Sequence, residues 1–182
     1  MEVATIVSER LELVWMSDDF IRTLLAGERR EAERLLGILL PEGWPDEHDE
    51  RFLRFRLNQM ERDPTHSEWL VRAVVLPRAG RDMIGSAGFH GKPGTNARQE
   101  GDAVELGYSI FEPFRRQGYA TETVRALIRW ANEERGIERF IASVAPDNAP
   151  SLAIVRKLGF AQVGRHWDEV DGEELEFELT VP

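Results

Sequence analysis

The chain reads as an α/β (α+β) fold, with a mixed, mostly antiparallel central sheet carrying helices on both faces. Three observations predict it. Extended segments at 69–76, 83–90 and 103–110 follow one another with only turns or a loop between, as antiparallel neighbours do. A helical period over 119–134 then links the segment 103–110 to another at 137–144, the β-helix-β arrangement of parallel strands. Two further extended stretches flank Asp171-Gly172, a strong hairpin signal. At about 100–200 residues per domain, 182 residues imply one domain spanning 1–182. A chain of this length buries roughly two thirds of its unfolded surface.

The elements follow in order. Glu9 to Trp15 alternates and predicts a strand. Ser17 can cap a helix, with Asp18 and Asp19 favourably placed in its first turn and Phe20, Ile21, Leu24 and Leu25 on its apolar face. A second helical stretch covers 28–39 and is broken by Pro41 to Pro45. A third, 47–62, carries Phe52, Phe55, Leu57 and Met60 and stops before Pro64. Gly91 to Gly101 reads as a loose surface loop between two strands. From Tyr119, the residues Ala120, Val124, Leu127, Ile128 and Ala131 share one helical face, and Gly136 is placed to end that helix. Asn148 can cap a short helix that tolerates Pro150 in its first turn and ends at Gly159. Phe160 to Val170, a type I′ turn at Asp171-Gly172, and Glu173 to Val181 form the hairpin. Its alternation puts Leu175, Phe177, Leu179 and Val181 on one side. Glu174, Glu176 and Glu178 lie on the other, which reads as a solvated face.

Composition excludes several kinds of function. There is no cysteine, so no disulfide, thiolate metal site or cysteine nucleophile. His48, His66, His90 and His166 lack metal-ligand spacing, and no metal is expected. Apolar runs are short, so no membrane helix is expected. The first residues lack a basic stretch followed by an apolar one, so no leader is expected, and a cytoplasmic location is the default. With 33 acidic against 23 basic residues the net charge is −10, which disfavours nucleic acid as a partner. A small anion is another matter, because its binding is decided locally.

The most informative segment is Arg115-Arg116-Gln117-Gly118-Tyr119-Ala120, between a strand and a helix. Unpaired amides and the positive dipole end make a helix N-terminus an anion site. Gly118 permits close backbone approach, Ala120 keeps the first turn narrow, and Arg115 and Arg116 add charge. About thirty residues later, Asn148-Ala149-Pro150-Ser151 opens a helix that Arg156-Lys157-Leu158-Gly159-Phe160 closes.

Together these two segments resemble the signatures of the GNAT superfamily of N-acetyltransferases. The first resembles R/Q-x-x-G-x-G/A, and the second resembles N-x-x-S/A-x-x-x-x-x-K-x-G-F. Glu105-Leu106-Gly107-Tyr108, Tyr119-Ala120-Thr121-Glu122 and the opening Ser8 to Leu13 resemble the RimJ and RimL branch, the ribosomal-protein acetyltransferases. The resemblance implies acetyl-coenzyme A as cofactor. It implies that Tyr108, Ser109 and Ile110 pair with the pantetheine arm through their backbone. It further implies that the loop from Gln117 to Ala120 holds the pyrophosphate, with side-chain contacts from Arg115, Arg116 and Thr121. Asn148 would meet the pantetheine region and Lys157 the nucleotide end, although a lysine there also suits the helix dipole.

The implied reaction is direct acetyl transfer to a primary amine in a ternary complex. The acceptor is a small molecule, such as a free amino acid, a polyamine or an antibiotic, or else a protein N-terminus. A protonated amine must first lose a proton, so a base is needed. Glu105 is the candidate base; its alternative role is a strand carboxylate that orients substrate. Many superfamily members carry a leaving-group tyrosine where this chain has Val155, so the resemblance moves that role to Ser151. The amine is expected between the early helices and the final hairpin. The candidates there are Trp44 and Phe52 on one side and His166, Asp168 and Glu169 on an acidic rim. A non-catalytic acyl-coenzyme A sensor is the alternative. A monomer or homodimer is expected, since dimers are common in related proteins.

Overall fold

The computed structural model describes residues 3–78, 80–168 and 172–182. The strands are β1 (Ile6–Val7), β2 (Glu12–Trp15), β3 (Arg72–Leu76), β4 (Asp82–Phe89), β5 (Ala103–Ile110), β6 (Arg139–Val144), β7 (Ala161–Asp168) and β8 (Gly172–Thr180). The helices are α1 (Asp18–Leu25), α2 (Arg29–Leu36), α3 (Glu47–Arg62), α4 (Tyr119–Arg135) and α5 (Ala149–Lys157). The sheet order is β1-β2-β3-β4-β5-β6-β8-β7. Every pairing is antiparallel except β5 with β6. This is the mixed sheet that the sequence predicts.

Strand alternation feeds two cores. In β3, Val74 and Leu76 enter the core built with α4 and α5, while Ala73 and Val75 enter the core built with α1 and α3. Val124, Leu127 and Ala131 of α4 are fully buried, on the face that the period predicts. Burying each of the two larger side chains contributes about 1.5–3 kcal/mol. Gly136 ends α4 at φ +67°, its amide reaching the carbonyls of Ala131 and Asn132. Ser17 caps α1 by accepting from the Phe20 amide, and Asp46 and Asp49 form a reciprocal capping box on α3.

Three points differ from the sequence reading. The two-residue β1 is too short to show a period and was not foreseen. In the hairpin, Asp168 pairs with Gly172 and Trp167 with Glu173, so a type I′ turn centred on Asp171-Gly172 does not match the register. Gly172, at φ +81°, uses its left-handed freedom at the start of the ladder instead. Third, the hairpin glutamates are not a solvated face. The Gly91–Gly101 loop carries Arg98 and Glu100 onto this side of the sheet. Arg98 pairs with Glu176, Arg139 joins Glu178 and Glu100, and His166 stands 3.4 Å from both Glu174 and Glu176.

Candidate active site

The loop before α4 is shaped by specific contacts. Arg116 takes φ +61° and Gly118 φ +84°. The Arg115 Nε donates to the Ile110 carbonyl at 2.8 Å, tying the loop to the end of β5. Arg10 donates to the Gln117 carbonyl, and its guanidinium pairs with Glu122 at 2.7 Å. Ser8 also donates to Glu122, so the N-terminal segment braces the first turn of α4. No side chain caps this helix, which leaves its first amides without partners inside the helix. Arg115, Arg116, Gln117 and Gly118 are exposed, whereas the Tyr119 and Thr121 side chains turn into the core. Tyr119 lies 4.7 Å beneath the Arg10 guanidinium. Thr121, expected to add a hydroxyl contact, is 9% exposed in the first turn of α4.

Beside this loop the sheet opens. β5 and β6 pair only through Ala103–Arg139, Val104–Phe140 and Glu105–Ile141. From Leu106 to Ile110, β5 keeps its β4 partner but pairs no longer with β6. A chain segment with two amides fits such an edge, and a pyrophosphate fits the free amides and arginines beyond it. Asn148 caps α5 by accepting from the Ser151 amide at 3.2 Å. Burial pushes the Tyr108 phenol up, offset in part by the Ser151 hydroxyl. The Tyr108 oxygen is sealed from solvent and has no hydrogen-bond partner among the described residues. Lys157 is exposed in the last turn of α5.

Across the sheet lies a cleft of about 230 Å³, roofed by Asp49, Phe52 and Arg56 of α3 and floored by Ser86 to His90 and Gly107 to Ser109. It therefore reaches the same stretch of β5 that opens toward β6. Gly88 pairs with Gly107, which leaves the middle of the floor without side chains. Gly88 also packs on the Leu70 carbonyl, only 2.7 Å from where a Cβ would stand. Arg56 is 8% exposed, donates to the His90 carbonyl and lies over the Phe52 ring. Burial brings its guanidinium down to about 10, against the pull of Glu105. Burial pushes the Asp49 carboxyl up, while the Asp46 amide and the Trp44 indole favour its charged form.

Glu105 sits at the end of this floor and is 2% exposed. Its carboxylate accepts from the Ser143 hydroxyl at 2.6 Å and from the Ala97 amide at 2.7 Å, and stands 3.6 Å from His90 Nδ1. Burial opposes its charge, but His90, Ser143 and Ala97 outweigh that and bring it down to about 2. The expected substrate residues separate. Phe52 lines the cleft. Trp44 is buried against Phe111 and meets the cleft only through Asp49. Among the described residues, none from the hairpin lines the cleft; His166 is engaged with Glu174 and Glu176, and Asp168 closes the ladder. Glu169 and Asp171 lie outside the described residues. Sequence reading missed Arg56, Asp49 and His90. For His90, the register of 83–90 against 103–110 is the signal that finds it, since it places His90 opposite Glu105.

A sheet split beside an amide-lined loop, with a cleft entering from the other face, defines a coenzyme A-dependent acyltransferase. The family model described as Acetyltransferase (GNAT) domain matches residues 10–161, and the chain belongs to that family of N-acetyltransferases, which take their acetyl group from acetyl-coenzyme A. It is 29% identical over 151 residues to an N-acetyltransferase 9-like protein of Caenorhabditis briggsae, covering 82% of this chain and 67% of that protein. It is 30% identical over 102 residues to the [ribosomal protein uS5]-alanine N-acetyltransferase of Escherichia coli, covering 55% of this chain and 50% of that one. Among solved structures, RimL, a ribosomal L7/L12 alpha-N-protein acetyltransferase in complex with coenzyme A, superposes with a TM-score of 0.63 over 98% of both chains at 19% identity. No described helix is long and apolar enough to cross a membrane.

Proposed function

We propose that this chain, acting as one acetyltransferase domain, moves the acetyl group of acetyl-coenzyme A to a primary amine by direct attack in a ternary complex. The carrying observation is that the opened edge of β5 and the α3 cleft share Gly107 to Ser109. A donor along the edge and an acceptor in the cleft would thus meet at one strand. The cofactor, when bound, supplies an activated acetyl carbon and a thiol leaving group.

This chain's residues do the rest. Backbone amides from Gln117 to Ala120, with Arg115 and Arg116, hold the pyrophosphate. Tyr108, Ser109 and Ile110 align the pantetheine arm. Asn148 contributes from its cap position, and Lys157 serves the nucleotide end. Ser151, with the buried Tyr108 phenol beside it, protonates the departing sulfur. Asp49 draws the cationic amine in, and Phe52 packs its apolar part. The E. coli relative is named for acetylating an alanine of a ribosomal protein, which favours alanine-terminated peptides as first acceptors to try. A cytoplasmic location and a monomeric or homodimeric state accord with this reading.

The test is thiol release from acetyl-coenzyme A across a panel of small amines and short peptides. Turnover on one class names the acceptor. Tight coenzyme A binding with no turnover on any class would overturn the enzyme reading in favour of a sensor.

A further inference from the structure

We propose that His90, held by Glu105, is the group that takes the proton from the attacking amine. This rests on the acetyltransferase reading and assigns the base within it.

The pair is built by strand register. The His90 amide donates to the Glu105 carbonyl at 2.8 Å, extending the β4–β5 ladder beyond Phe89 and Leu106. Residues opposite one another in a ladder project to the same face. His90 and Glu105 therefore end the same row in which Gly88 faces Gly107 and Ser86 faces Ser109. Because Gly107 has no side chain, the imidazole leans over it, with Nε2 3.4 Å from where a Cβ would stand. That nitrogen borders the cleft, and the ring is 42% exposed, while the other nitrogen, Nδ1, faces the buried carboxylate. The His90 backbone is fixed as well, since its carbonyl accepts from Arg56 at 3.1 Å and from Gln59 at 2.9 Å.

Glu105 is poorly placed for the same task. Its two oxygens are already engaged by Ser143 and Ala97, and it is sealed from the cleft. Its use is electrostatic: its charge, 3.6 Å from Nδ1, favours the tautomer with the proton on that nitrogen, which leaves Nε2 with a free lone pair. The charged and titratable groups around His90 are Glu105 of β5 beside its ring, Arg56 of α3 on its carbonyl, and His48 and Asp49 across the cleft. In the step, the ammonium gives one proton to Nε2, and the freed lone pair forms the C–N bond to the acetyl carbon. The C–S bond breaks with its electron pair on sulfur, which takes a proton from the Ser151 side. The amide nitrogen sheds its second proton to solvent.

Two measurements on the full chain test this. First, nitrogen NMR of the histidine-labelled protein, without cofactor, reads the tautomer of neutral His90. The proton is expected on Nδ1 in the native chain and redistributed to Nε2 in Glu105→Gln. A native proton on Nε2 overturns the proposal, whatever the turnover. Second, transfer to a peptide with a free N-terminal alanine is followed against pH. His90→Gln is expected to lower kcat about 100-fold or more, with coenzyme A affinity unchanged and the acid limb of kcat/KM abolished. Glu105→Gln is expected to keep more activity than His90→Gln. Native rates in His90→Gln overturn the proposal. A native chain that fails on the peptide while the tautomer is as expected sinks the peptide acceptor and supports the His90 geometry.

Discussion

The Ser143 hydroxyl donates a 2.6 Å hydrogen bond to Glu105 just past the last position at which β5 pairs with β6. It is part of the set, with His90 and Ala97, that brings the folded Glu105 carboxyl down from 4.5 to about 2 against its burial. A depressed carboxyl contributes stability that is complete above its unfolded value and is lost as pH falls through its folded value. Native stability in urea should therefore drop between pH 4.5 and 2 by on the order of 3 kcal/mol from this group. Glu105→Gln should be less stable at neutral pH and flatter across that window. Parallel curves for the two proteins would refute the assignment.

Gly118→Glu places a carboxylate where the pyrophosphate is proposed to sit, at a backbone φ of +84°. Calorimetry should show coenzyme A affinity weakened at least about 100-fold by repulsion and bulk. The left-handed backbone itself costs only about 1–2 kcal/mol, so circular dichroism should report an intact fold. Unchanged affinity would remove the loop from the site.

Ser151→Ala and Tyr108→Phe should each slow turnover about 10-fold or more while leaving coenzyme A affinity nearly constant. Because the two hydroxyls share one location, the double variant should fall well short of the product of the single effects. Full additivity would mean that they act separately.

Arg72 is 1% exposed and donates to the carbonyls of Ala4 and Glu68 while lying 5.2 Å from the Trp130 ring. Arg72→Ala strands those acceptors and leaves a void. Chemical denaturation should register a loss of about 3 kcal/mol. A loss below about 1 kcal/mol would show that water replaces the guanidinium without cost.

Gly85 faces Ile110, and a Cβ there would stand 2.1 Å from the Ser109 carbonyl oxygen. That neighbour is backbone, so no rotamer relieves the clash. Gly85→Ala should cost more than about 3 kcal/mol or prevent folding, and soluble yield with a melting curve checks this.

The helices α1, α3, α4 and α5 were legible because their signals are local. Ser17, Asn148 and Gly136 act on amides or carbonyls within a turn of themselves. The loop at Gly118 was legible for the same reason. What escaped depends on distant partners. Arg98 and Arg139 determine the fate of Glu176 and Glu178, and nothing near those glutamates in the chain announces it. His90 meets Glu105 only through the β4–β5 register, and sequence reading weighs it solely as a metal ligand. The acidic rim expected of the hairpin was misplaced accordingly, because its charges are spent in pairs with Arg98, Arg139 and His166 and, among the described residues, none of them lines the α3 cleft.

The ladder between β5 and β6 is three residues long and, among the described residues, it is the sole join between the first five strands and the last three within the sheet. A ligand whose amides line that seam acts as a borrowed strand. Its free energy of binding is then added to that of the fold, about 2.7 kcal/mol at a hundred times its dissociation constant. If acyl-coenzyme A lies along that seam as proposed, melting temperature should rise with its concentration. Without the ligand, the three-residue ladder alone would have to carry the seam.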